Sequence, residues 1–198
     1  MKKNALLLIV LVVSFVSHAQ SSLLTEMPVS IGTFNYFYLH PGLKVGVQWD
    51  WRKWEKEKER RKGTLVKKKS LFISPQIAYY THSQNHTGFL LNVDFGYQRI
   101  KSTRGFYSAY SVGFGYLTRF NAGTTYEYHS NGELTQKRAA ARGYFMPSLN
   151  MEFGQKINEK FGWFTKFSIA TNLRYNTGFS FETFHEVGIK LNFGKILK

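Results

Sequence analysis

Three groups of residues in this 198-residue chain have types and spacings capable of chemistry. The densest is basic. Arg52 to Lys69 holds ten Lys or Arg against three Glu, centred on Glu55-Lys56-Glu57-Lys58-Glu59-Arg60-Arg61-Lys62. Arg52, Lys53, Lys56, Lys58, Arg60, Arg61 and Lys62 are candidates for binding phosphate, because a guanidinium meets two phosphate oxygens at once and a run of cations concentrates anions. The competing reading is a solvated loop whose Glu and Lys pair weakly, at about 0–1 kcal/mol per pair. The second group is spread along the chain, with Lys44, Asp50, Asp94, Glu152, Lys166, Arg174, Glu186 and Lys190 set among apolar residues. The third is histidine-centred: His129-Ser130 near Glu127, and His82-Ser83 with His86 four residues on. A Ser–His pair with an acidic partner would suit acyl hydrolysis. Both Ser–His pairs fall at turns, however, and neighbours on a strand point to opposite faces, so the sequence assigns no catalytic set. His82 and His86 have a spacing that suits a metal on a helix, but they flank a hairpin turn with no carboxylate beside them, so no metal or cofactor is expected.

Composition narrows the field. There is no Cys, which removes disulfide scaffolds, thiolate metal sites and cysteine nucleophiles. Aromatic residues make up 17% and hydrophobic residues 43% of the chain, too much for disorder. Lys and Arg number 27 against 12 Asp and Glu, a formal net charge of +15. Nucleic acid would be the ordinary partner of such a charge, but the first residues point to export. Met1-Lys2-Lys3-Asn4, the apolar run Ala5–Val16 and Ser17-His18-Ala19 have the layout of a secretory signal peptide over 1–19, with cleavage before Gln20. Roughly 12 apolar residues are too few to span a bilayer, which takes about 20 in a helix.

The elements that position these residues show a period of two. Leu43, Val45, Val47, Trp49 and Trp51 alternate with Lys44, Gly46, Gln48 and Asp50. The pattern returns at 89–97, 163–173 and 185–193, and less perfectly at 71–79, 110–116 and 145–153. With a weaker strand near Thr124–His129, eight strands are expected, separated by polar or Gly-containing turns such as Asn131-Gly132. Each strand has an apolar face, aromatic near its ends, and a face carrying charges of both signs. Aromatic rings bordering an apolar band favour membrane interfaces, and strands in lipid must close on themselves to pair every backbone group. The fold class expected is therefore all-β, a transmembrane antiparallel up-and-down β-barrel of about eight strands over 41–198. Residues 20–40 would form either a periplasmic segment or an extra strand. So narrow a barrel is filled by its own side chains, which makes the lumen charges a salt-bridge plug rather than a conducting path.

The whole chain after residue 19 resembles the small, OmpX-like, eight-stranded outer-membrane barrels of Gram-negative bacteria. The resemblance rests on the signal peptide, the alternating segments and the aromatic ending Val187-Gly188-Ile189-Lys190-Leu191-Asn192-Phe193. It implies fold and compartment but no active site. With both chain ends in the periplasm, the basic run between the first two expected strands would face outward, toward lipopolysaccharide phosphates. The partners expected are outer-membrane lipid, lipopolysaccharide and a larger outer-membrane protein on which the barrel serves as an accessory subunit, with no nucleic acid. The leading functional expectation is a non-enzymatic structural or interaction protein. A lipid A deacylase and a soluble lipocalin-like carrier are the alternatives.

Overall fold

The computed structural model describes residues 27–36, 40–60, 63–82, 85–101, 105–121, 123, 125–128, 132–137, 141–175 and 178–192. The expected signal peptide over 1–19 lies outside them, as do Arg61, Lys62, Ser83, His129 and Ser130 and the side chains of Lys58, Arg60 and Arg174.

Among the described residues every regular element is a strand: β1 (Val29–Tyr36), β2 (His40–Val47), β3 (Trp49–Arg60), β4 (Gly63–His82), β5 (His86–Lys101), β6 (Phe106–Asn121), β7 (Thr125–Tyr128), β8 (Leu134–Lys137), β9 (Ala141–Lys156), β10 (Phe161–Tyr175) and β11 (Gly178–Leu191). Nine of them form one antiparallel sheet, in the order β2-β1-β11-β10-β9-β6-β5-β4-β3. β2 pairs with β1 on one side and with β4 on the other. β2 and β3 are thus two halves of one long stave, and the sheet closes on itself as an eight-stranded barrel. In lipid this closure matters, because it leaves no run of unpaired N–H and C=O groups along the wall.

The strand count agrees with the sequence reading, but two members differ. The segment near Thr124–His129 is not a stave. Its strand β7 pairs only with β8, in a small separate hairpin. The missing stave is β1, drawn from the segment at 20–40, so the barrel begins at Val29 rather than at 41. β1 joins the last strand to the second in unbroken register, from Val29 opposite Leu191 to Tyr36 opposite Phe184.

Register also fixes the two ends. Val29 lies between Val47 and Leu191, and Phe161 faces Leu191, so the chain's first and last described strands open at the same rim. This terminal rim also carries the β5–β6 and β9–β10 turns and the β3–β4 hairpin. The β4–β5 turn, the β7–β8 hairpin and the start of β11 lie at the far rim. Gly105, at φ 67°, leads into β6 and donates its N–H to the Lys101 carbonyl at 3.1 Å, a conformation in which a non-Gly residue would be strained.

Candidate functional site: a charged lumen and a cationic rim

The wall is oily outside and polar inside. Leu149 and Ile169, at mid-strand on the outer face, are 65% and 58% exposed. The inward positions hold Asn92, Asp94, Asn150, Lys166 and Glu186, all buried. This is the reverse of a soluble carrier, whose apolar surface would line the interior, and it excludes the lipocalin-like alternative. Outward rings gather toward the rims. Trp49, Trp51, Trp54, Phe106, Tyr110, Phe153 and Trp163 stand near the terminal rim, and Tyr79, Phe89, Tyr116, Phe120, Phe145 and Phe181 toward the far rim. A closed barrel with such a belt has a bilayer as its solvent.

Inside, the structure brings six of the eight expected lumen charges together as three ion pairs. Lys44 meets Glu186 at 3.0 Å, Lys166 meets Asp94 at 2.5 Å and Lys190 meets Glu152 at 2.5 Å. Asp50, nearer the rim, accepts from Gln48 at 2.9 Å and lies 3.7 Å from Lys53. Asp94 is the centre of the network. Its Oδ1 accepts from Asn92 at 2.7 Å and Asn150 at 3.0 Å, and its Oδ2 accepts from Gln76 at 2.8 Å and Lys166. Lys190 also donates to Gln48 at 2.9 Å, and Gln48 donates to Gln98 at 2.7 Å, which extends the network to the terminal rim. The cavity between Gln76, Asp94, Lys166 and Glu186 is about 10 Å³, room for one water at most, while nearer the terminal rim a cavity of about 120 Å³ borders Gln48, Gln98 and Lys190.

Beyond the network, toward the far rim, the lumen turns apolar. Phe34 stacks on Phe184 with centroids 4.7 Å apart, and Ala78, Leu90, Leu117, Met146 and Ala170 complete the cluster. Past that layer comes a second polar group missed by the sequence reading: Arg119 pairs with Glu182 and donates to Tyr80 Oη at 3.2 Å, and Asn172 donates to Glu182. Arg119 and Glu182 lie beyond the ends of the strands expected at 110–116 and 185–193, and apolar neighbours on both faces hide the alternation there. Tyr80 Oη also lies 3.3 Å from His86 Nε2. His82 faces His86 across the β4–β5 turn, with ring centroids 5.5 Å apart. Among the described residues no cluster of three His, Cys, Asp or Glu could hold a metal.

The basic run is not a loop. β3 and β4 pair from Trp49 opposite Ile73 out to Arg60 opposite Gly63, while β4 and β5 stop pairing at Lys67 opposite Lys101. The hairpin therefore projects past the rim by four residues of β4, roughly 13 Å at strand rise. Since β1 is a stave, the hairpin joins the second and third staves rather than the first two, and it rises from the terminal rim, where β1 starts and β11 ends. The register shifts between Asp50 and Arg52, a bulge at Trp51. One extra residue moves every later side chain to the other face. Arg52, Trp54 and Lys56 therefore continue the lipid-facing wall, opposite Leu71, Lys69 and Lys67, while Lys53, Glu55 and Glu57 share the lumen-side face with Ser70, Lys68 and Val66. Glu55 pairs with Lys68 at 2.9 Å on that face. Glu and Lys that alternate in sequence would neutralise each other in a loop. In this strand Glu55 and Glu57 fall on the lumen-side face and Lys56 on the other.

No protein-family model matches this chain, and no curated protein matches it. Among solved structures it is similar to the outer membrane enzyme PagL, with a TM-score of 0.51 and 10% identity, over 83% of this chain and 98% of that one. It is also similar to Neisserial surface protein A, with a TM-score of 0.43 and 6% identity, over 84% of this chain and 94% of that one. At such identities the likeness to PagL is one of fold. Together with the closed eight-stranded wall and its apolar belt, it makes this chain a small barrel of the outer-membrane type.

Proposed function

We propose that this protein is a sealed, non-enzymatic barrel of the bacterial outer membrane, reached by export with removal of residues 1–19, and that it serves as an interaction protein, an accessory subunit of a larger outer-membrane assembly. The observation that carries this reading is the lumen: three ion pairs and an apolar layer in series, with a cavity of only about 10 Å³ at the level of Asp94 and Lys166. Such an interior gives ions no path and substrate no entry. The surfaces left to do work are the outer wall and the two rims. With the chain ends in the periplasm, the basic hairpin faces the periplasmic leaflet and not lipopolysaccharide. That orientation replaces the outward one implied by counting the hairpin between the first two strands, and it keeps phosphate as the chemistry the hairpin suits.

Two measurements test the proposal. Single-channel recording of the pure protein in planar bilayers is expected to stay at baseline, and resolved conductance steps would overturn the sealed lumen. Solubilising native membranes in mild detergent is expected to recover the chain together with a larger membrane protein. Recovery as a lone monomer would overturn the subunit role.

A further inference from the structure

We infer that the outer wall at the terminal rim holds a binding site for one anionic phospholipid, with Arg99 and Lys101 taking its phosphate and Tyr110, Phe153 and Trp163 walling the cleft beside them. The inference needs only the membrane barrel, so failure of the subunit reading would leave it standing.

Three neighbouring rows of outward residues run across β3, β4, β5 and β6. The row nearest mid-wall is Arg52, Leu71, Tyr97 and Tyr110. The next is Trp54, Lys69, Arg99 and Ser108, and the outermost is Lys56, Lys67 and Lys101. Moving outward, the wall thus passes from mostly ring and aliphatic carbon to cations within two residues. The bilayer makes the same passage from acyl chain to phosphate, where aromatic rings and snorkelling Lys and Arg settle. No carboxylate interrupts these rows, because the bulge at Trp51 sends Glu55 and Glu57 to the other face. Lys69 Nζ stands 6.0 Å from the centre of the Tyr97 ring, and Trp54 packs 6.1 Å from the same ring, so the aromatic row supports the cationic one.

Beside these rows lies a cleft of about 490 Å³, lined by Arg99, Lys101, Phe106, Tyr110, Phe153 and Trp163. Arg99 Nε is buried there and has no hydrogen-bond partner among the described residues. A buried guanidinium donor without an acceptor is costly, and a phosphate oxygen would satisfy it. The aromatic lining decides between sources of phosphate. A free ion would leave four rings uncovered, whereas the glycerol and upper acyl chain of a phospholipid would fill the space against them. The cations call for a lipid of net negative charge, such as phosphatidylglycerol, over a zwitterionic one.

The test uses the full mature chain, refolded in a neutral detergent and offered phosphatidylglycerol and phosphatidylcholine of equal acyl length, with bound lipid read by native mass spectrometry. Phosphatidylglycerol is expected to be retained over phosphatidylcholine. Arg99→Gln with Lys101→Gln is expected to reduce that preference roughly 25-fold, at about fivefold per cation removed from an anionic surface. Lys53→Gln, on the opposite face of the hairpin, should leave it unchanged. Millimolar inorganic phosphate is expected not to displace the lipid. Equal retention of the two lipids, an equal loss in Lys53→Gln, displacement by free phosphate, or tighter binding of lipopolysaccharide at the same residues would each overturn the proposal. A second measurement requires no substitution. Phosphatidylglycerol brominated on its upper acyl chain should quench the tryptophans more than equally brominated phosphatidylcholine, and equal quenching would also overturn it.

Discussion

Asp94 offers the sharpest test of how the lumen is held. Its carboxylate is 1% exposed and accepts four hydrogen bonds, one of them from Lys166, itself 3% exposed. Asp94→Asn keeps the shape but removes the charge, leaving the Lys166 ammonium buried without its counter-ion. Breaking a buried pair from one side costs about 3–5 kcal/mol, against a total stability on the order of 5–15 kcal/mol. Lys166→Met alone should cost a similar amount, because the carboxylate is then stranded. The double substitution removes both charges and should recover most of the loss, since the bare pair contributes little once desolvation is counted. The assay is equilibrium urea unfolding in phosphatidylcholine vesicles, with the folded fraction read from the heat-sensitive mobility of the barrel on gels, and with a coupling energy taken from the four-way cycle. Single substitutions within about 1 kcal/mol of wild type would show that water reaches the pair and that the lumen is not sealed at this level. Additive losses in the double variant would show that Asp94 and Lys166 are held independently.

Two further outcomes follow from packing and placement. A Cβ at Gly113 would stand 2.3 Å from Ser148 Oγ and 2.6 Å from Asp94 Oδ1, so Gly113→Ala should destabilise by about 1–3 kcal/mol, whereas Gly123→Ala, with open space around it, should leave the urea midpoint unchanged. All four tryptophans, Trp49, Trp51, Trp54 and Trp163, stand near the terminal rim. Lipids brominated close to the headgroup should therefore quench their fluorescence more than lipids brominated at the chain ends, and the reverse order would refute the placement of the belt.

The barrel was legible where its two faces differ most. From Leu43 to Trp49 and from Phe89 to Tyr97, oily and polar residues alternate because lipid lies on one side and the ion-pair network on the other. The same contrast marks Lys44, Asp94, Glu152, Lys166, Glu186 and Lys190 as charges on the polar face. Legibility failed where the lumen is apolar. In β1 only Val29 to Gly32 alternate the usual way, with Ser30 and Gly32 toward the lumen; beyond them Phe34 turns inward and Thr33 and Asn35 outward, so the pattern reverses and the strand passes for a linker. Arg119 and Glu182 were lost to the same blurring, between Leu117 and Phe184. The hairpin failed for another reason. Its alternating Glu and Lys suit either a loop or a strand, and the choice rests on the pairing of β3 with β4. The bulge that turns Arg52 outward is set by that pairing, not by any residue signature.

The barrel is fastened by its most distant parts. Eight residue pairs between β1 and β11 form the final joint, and they link positions more than 140 apart along the chain. Nothing local can nucleate that joint, so the search for it should dominate assembly time. Until the last stave arrives, the growing sheet has two raw margins, neither tolerable in hydrocarbon. Insertion is thus all-or-none: a chain cut short within β11 would lose the clasp for the entire wall, and with it the purchase that keeps the ion pairs dry.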